Sequence, residues 1–126
     1  MSDRTPVRPM LLALIVALIL GGSAAQARTV AVVIGIDKYD SPDITPLTAA
    51  VKDARTFGEA LKSAAGAAEE DIKLLTSEDT VFAHRPTKAN IVLNLKWAQR
   101  ATTPEDIFII YYAGHGITRW GTIPCA

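Results

Sequence analysis

Apolar positions recur along the chain in two rhythms, and their alternation lays out the elements. Thr29 to Ile36 (TVAVVIGI) is β-branched and apolar on both faces, the mark of a strand covered on both sides in a parallel sheet. A polar stretch follows, from Asp37 to Asp43. Leu47, Val51, Ala54, Phe57 and Leu61 then recur at steps of three or four. That spacing predicts an amphipathic helix over 46–64, with Thr45 as its N-cap, Pro46 at its first position and Gly66 just past its end. Ile72 to Thr76 (IKLLT) predicts a short strand. Thr87 opens a second helix with Ile91, Leu95 and Ala98 as its apolar positions and Val92 and Trp97 beside them. It runs to about Arg100, and Pro104 marks its exit. Asp106 to Tyr112 (DIFIIYY) predicts a third strand, which Ala113-Gly114-His115-Gly116 ends as a turn.

The order β-α-β-α-β implies an α/β fold with a parallel sheet and right-handed crossovers. Ile107 to Tyr112 shows no alternation, so both faces of the third strand should be covered, as in an interior strand. The 14 residues after Tyr112 are too few for another crossover and strand, since the connection alone needs a dozen or more residues. The chain is therefore expected to carry the amino-terminal portion of a larger α/β domain. Its third strand should be left exposed, with self-association as the consequence.

Before Thr29 the pattern changes. Arg4 and Arg8 precede an unbroken apolar run, Met10 to Leu20, and Ala25-Gln26-Ala27 supplies a small-x-small site. As a helix the run extends roughly 17 Å, about half of a ~30 Å hydrocarbon core, which argues for a signal peptide over a membrane anchor. Residues 1–27 are expected to be removed after Ala27, leaving residues 28–126 in a secreted or periplasmic location of bacterial type, with no membrane association after cleavage.

Composition narrows the function classes. The 126 residues carry 13 Lys+Arg and 13 Asp+Glu, so no basic excess points to nucleic acid. A hydrophobic fraction of 49% excludes a disordered tail. A single cysteine, Cys125, excludes an internal disulfide framework. Dinucleotide and P-loop glycine patterns, a G-x-S-x-G elbow and zinc-type Cys/His spacings are all missing.

Chemistry is left to the end of the third strand. Loops at the carboxyl ends of parallel strands converge on the crevice where doubly wound sheets place their sites. His115 stands there between two glycines. An imidazole at that place suits a general base, and the Gly116 N–H suits a developing oxyanion. A plain turn histidine, hydrogen-bonded to a carbonyl, is the alternative.

AVVIGIDKY (Ala31 to Tyr39), LTAAVKDARTFGEAL (Leu47 to Leu61), IKLLT, TKANIVLNL (Thr87 to Leu95) and DIFIIYYAGHG (Asp106 to Gly116) occur in this order and spacing. Together they resemble the p20-type catalytic domain of the caspase-like cysteine peptidases, the peptidase C14 group that includes metacaspases and their bacterial relatives. The resemblance implies a three-layer caspase-like fold with a mostly parallel sheet, of which this chain holds the first β-α-β-α-β portion. It also implies an endopeptidase that hydrolyses peptide bonds through a His–Cys dyad, acting on protein or peptide substrates. His115 matches the dyad histidine, and Gly116 matches the residue whose amide helps hold the oxyanion.

The matching cysteine would lie further downstream, in an Asp-x-Cys-x-Gly-like segment that this sequence does not contain. Cys125, in TIPCA, lacks that setting and is not assigned the nucleophile's role. An inactive caspase-like module used for protein–protein interaction is the second reading. Arg/Lys specificity, as in metacaspases, and Asp specificity, as in animal caspases, both stay open. Asp37, at the end of the first strand, is either a substrate-recognition carboxylate or a solvated or turn-capping one. Asp53 is expected to be structural, His84 a surface residue, and Glu69-Glu70-Asp71 a solvated connection. No cofactor is required, and calcium stimulation enters only through the resemblance.

Overall fold

The structure, a computed structural model, describes residues 27–116. The apolar N-terminal run, nearly all of the expected cleavage site, and Cys125 lie outside the described residues. Three strands and two helices follow in order: β1 (Thr29–Gly35), α1 (Ala50–Ala65), β2 (Ile72–Thr76), α2 (Lys88–Ala101) and β3 (Ile107–Ala113). Short 3-10 turns, Glu69–Asp71 and Phe82–His84, precede β2 and α2.

All strand pairs are parallel, in the order β2-β1-β3. β1 is central and buried at every position, as its two-faced apolarity requires. Its alternate residues feed two cores. Val30, Val32 and Ile34 pack with Leu75 and with Ala98, Ile91, Leu95 and Trp97 of α2. Ala31 and Val33 pack with Ala54, Phe57 and Leu61 of α1 and with Ile109 and Tyr111 of β3. The helices therefore cover opposite faces and complete three layers. Topology demands this: the crossover from β1 to β2 and that from β2 back past β1 to β3 run in opposite senses across the sheet, so equal handedness puts their helices on opposite sides.

β3 is left exposed, as expected. It pairs only with β1 among the described residues, and Ile107, Phe108, Ile110 and Tyr112 are each 41–56% exposed. Ile109 and Tyr111 face α1, and Phe57 stacks on Tyr111 with ring centroids 4.2 Å apart. The even-numbered residues form an apolar comb on the other face. Thus the strand has an interior strand's composition in an edge position.

The first helix differs from expectation. It begins at Ala50, not at 46, and neither Thr45 nor Pro46 starts it. The Leu47 N–H donates to the Asp37 carbonyl at 2.8 Å, which holds the preceding segment out of helical geometry. Gly66 ends the helix as expected, in the left-handed conformation at φ 63°. Thr87 caps α2 as expected, its side chain accepting from the Asn90 N–H at 3.2 Å.

Candidate active site

β1 is central with β2 and β3 on either side of it, and the candidate residues gather at the carboxyl ends of β1 and β3. The carboxyl ends of parallel strands are the usual position for a site in such a sheet. Gly35 lets α1 approach β1: a Cβ there would meet the Ala50 carbonyl and the Ala54 Cβ at 2.7 Å each.

Asp37 ties the carboxyl end of β1 to its neighbours. Only 5% exposed, it accepts from the Ala50 N–H through Oδ1 at 2.8 Å and from the Val51 N–H through Oδ2 at 3.3 Å. It caps α1 from 13 residues away in sequence, so no local pattern could reveal it. The Asp37 and Lys38 amides in turn donate to Ser77 Oγ at 2.9 and 3.2 Å, joining the ends of β1 and β2. Of the two readings of Asp37, substrate contact or cap, the carboxylate occupies the capping arrangement.

The loop that Asp37 anchors delivers Tyr39 and Thr45 to the turn after β3. His115 Nε2 lies 2.8 Å from the Thr45 carbonyl oxygen. A carbonyl can only accept, so Nε2 is the donor in this contact, and in the neutral ring the lone pair then lies on Nδ1. The His115 N–H donates to Tyr39 Oη at 2.6 Å, and the Tyr112 hydroxyl donates to the His115 carbonyl at 2.8 Å. The Tyr39 and His115 rings lie tilted, with centroids 5.4 Å apart. Burial, followed by the contact with Tyr39, raises the Tyr112 pKa to about 12, so its hydroxyl stays protonated. His115 and Gly116 thus sit together in the turn at the carboxyl end of β3. Tyr39, Tyr112 and the Thr45 carbonyl complete the arrangement, and sequence reasoning gave none of the three a place in the site. Tyr112 carried a signal, a polar aromatic two residues before Gly114, whereas Tyr39 reaches the turn only through the fold. Thr45 acts through its backbone, which no side-chain pattern can report.

The remaining candidates lie apart. Asp53 is exposed in the first turn of α1, where its charge complements the helix end. His84 is exposed, with Nδ1 3.6 Å from an Asp79 carboxylate oxygen. Glu69 and Glu70 are exposed, but Asp71, expected in solvent with them, is buried and paired with Arg28 at 3.5 Å. The chain start before β1 passes beside this connection, an adjacency that only the fold creates. Asp71 is therefore occupied by a guanidinium, and no group of three or more His, Cys, Asp or Glu gathers for a metal ion among the described residues. The acidic run does not fit a calcium site.

Comparison with known proteins agrees with this architecture. The family model for the metacaspase peptidase C14 domain matches residues 29–122. Metacaspase-1 of Scheffersomyces stipitis is 28% identical over 96 residues, which cover 76% of this chain and 23% of that protein. Metacaspase-1 of Saccharomyces cerevisiae strain S288c is 29% identical over 94 residues, covering 75% of this chain and 21% of that protein. Metacaspase-1A of Aspergillus terreus is 30% identical over 94 residues, with 75% and 23% covered. The chain thus spans between a fifth and a quarter of the curated relatives it matches. On the extent of the family match, which runs from the first residue of β1 past the Gly-His-Gly turn, the chain belongs to the metacaspase peptidase C14 family.

Proposed function

We propose that this chain carries the histidine side of a cysteine endopeptidase site. The carrying observation is the His115 ring, tied through Nε2 to the Thr45 carbonyl, which leaves Nδ1 as the nitrogen open to a partner. In this reading a cysteine thiol placed within hydrogen-bond reach of Nδ1 loses its proton to the ring. The resulting imidazolium is steadied by the Thr45 carbonyl, and the thiolate attacks a peptide carbonyl. The Gly116 N–H donates to the oxyanion of the tetrahedral intermediate. Nδ1–H then protonates the leaving amine, and water hydrolyses the thioester. Asp37 serves the site by holding the loop that carries Thr45, since both its carboxylate oxygens are engaged by α1. The residues described hold no cysteine, and residues 28–126 alone are expected to cleave no Arg-, Lys- or Asp-directed fluorogenic peptide.

The test is to assay the longest product of the genomic reading frame, together with its His115→Ala variant. Cleavage that disappears in the variant supports the dyad, and cleavage that survives it overturns the reading. If no cysteine motif follows in any frame, the second reading gains: a caspase-like module used for binding. The exposed comb on β3 favours association in either case, and a monomer in sedimentation at high concentration would remove that part. Export rests on Arg4, Arg8, the Met10–Leu20 run and Ala25-Gln26-Ala27. Amino-terminal sequencing of the exported product should begin at Arg28.

A further inference from the structure

We propose that Tyr112 and Tyr39 are positioning residues, and that Tyr112 sets the direction of the Gly116 amide by holding the carbonyl at the opposite edge of the same peptide unit. The purpose of that direction rests on Gly116 being an oxyanion donor, as proposed above; the geometry does not.

The described residues contain no cis peptide bond, so the His115–Gly116 unit is trans and planar. In such a unit the C=O and N–H point to opposite sides. The Tyr112 hydroxyl fixes the carbonyl with a 2.8 Å bond and so fixes the amide behind it. A carbonyl that accepts a hydrogen bond also polarises its own peptide unit, which makes the Gly116 N–H a stronger donor. Tyr39 holds the preceding peptide unit, accepting from the His115 N–H at 2.6 Å, while the Thr45 carbonyl holds the ring. His115 is therefore restrained at both flanking peptides and at its side chain.

Gly114 makes the double clamp possible. A Cβ at that position would lie 2.6 Å from Tyr112 Oη and 2.8 Å from Tyr39 Oη. Both hydroxyls therefore fill the space that a side chain at 114 would need. Burial and the contact with Tyr39 keep the Tyr112 hydroxyl protonated, so it remains a donor throughout the neutral range.

The experiment uses the full chain, isotope-labelled for NMR, and its Tyr112→Phe and Tyr39→Phe variants. In Tyr112→Phe the order parameter of the Gly116 N–H is expected to fall from the rigid range of about 0.85 to below about 0.6, with exchange protection along β1 and β3 retained. In Tyr39→Phe the His115 amide proton moves upfield while Gly116 keeps its order. An unchanged Gly116 in Tyr112→Phe overturns the proposal, as does an equal loss of Gly116 order in both variants. Should Tyr112→Phe lose the sheet's protection, the wild-type chain decides. A slowly exchanging Tyr112 hydroxyl proton with an Overhauser contact to the Gly116 α-protons upholds the proposal, and its absence at low temperature overturns it. Neither readout involves turnover. A chain that never cleaves a peptide leaves the clamp standing, and a failed clamp leaves His115 free to be the base.

Discussion

Replacing Asp37 by alanine deletes the acceptor for two buried amides at the start of α1, and the size of the effect follows from their geometry. The bond from the Ala50 N–H is short, at 2.8 Å, and Ala50 is only 6% exposed, so water does not readily replace the lost oxygen. A buried donor left unpaired costs about 1–3 kcal/mol. The Val51 bond, at 3.3 Å, adds little by comparison. The interaction of the carboxylate charge with the helix end contributes about 0.3–1 kcal/mol more. A total of about 2–3 kcal/mol results, and for a domain of this size each kcal/mol moves Tm by about 4–8 °C. Asp37→Ala should therefore lower Tm by roughly 10–20 °C. Asp37→Asn keeps one oxygen for the Ala50 N–H and should cost about 1 kcal/mol.

Thermal unfolding of the full chain, followed by circular dichroism, measures both variants. The same spectra recorded at increasing urea separate a change in midpoint from a change in slope. Because Thr45 and Tyr39 lie on the loop that Asp37 anchors, Asp37→Ala should also reduce the Nε2–H tautomer of His115 in nitrogen-15 spectra. An alanine variant as stable as the wild type would refute the capping argument and return Asp37 to the substrate cleft. An asparagine variant as damaged as alanine would show that charge, not the hydrogen bond, dominates.

Three other outcomes test separate parts of the fold. Gly35→Ala drives a methyl into the Ala50 carbonyl and the Ala54 Cβ at 2.7 Å, and as neither can rotate away it should cost about 3 kcal/mol in urea unfolding; a neutral result would mean α1 does not lie this close to β1. The Asp106 carboxyl is held below its ordinary value, chiefly by the Thr103 N–H and then by the Arg28 N–H. Its contribution to stability is present above the unfolded-state pKa of about 3.9 and is lost as pH falls through the lower folded value, so Asp106→Asn should flatten the acid limb of the stability profile. The Tyr112 phenol is shifted the other way, to about 12. Its contribution is complete below about pH 10 and is lost as pH rises from there towards the folded value; an ultraviolet titration in which Tyr112 ionises near 10 would contradict its contact with Tyr39.

The family and the strand order reach the reader of the sequence by different routes. The two-faced apolarity of Val30 to Ile34 announces a central strand, because each residue must be covered wherever the chain later goes. The same reasoning gave the equally apolar Ile107 to Tyr112 an interior strand's composition and expected it to stand exposed, and among the described residues it lies at the edge. Composition reports what a strand is suited to, not which neighbour lies beside it. Likewise, Thr45-Pro46 has the chemistry of a helix start, but a distant carboxylate moved the start to Ala50.

The sequence by itself determined the element types, the β-α-β-α-β order and the glycine-flanked histidine at a strand's end, since these depend on local spacing and residue type. Only the tertiary structure decided where α1 begins, that Asp71 is buried against Arg28, and which nitrogen of His115 carries the proton. Each of these rests on a hydrogen bond or ion pair between groups far apart in sequence, and for His115 the deciding partner is a backbone carbonyl. Backbone atoms are the same in every residue, so their role appears only when the chain has folded around them.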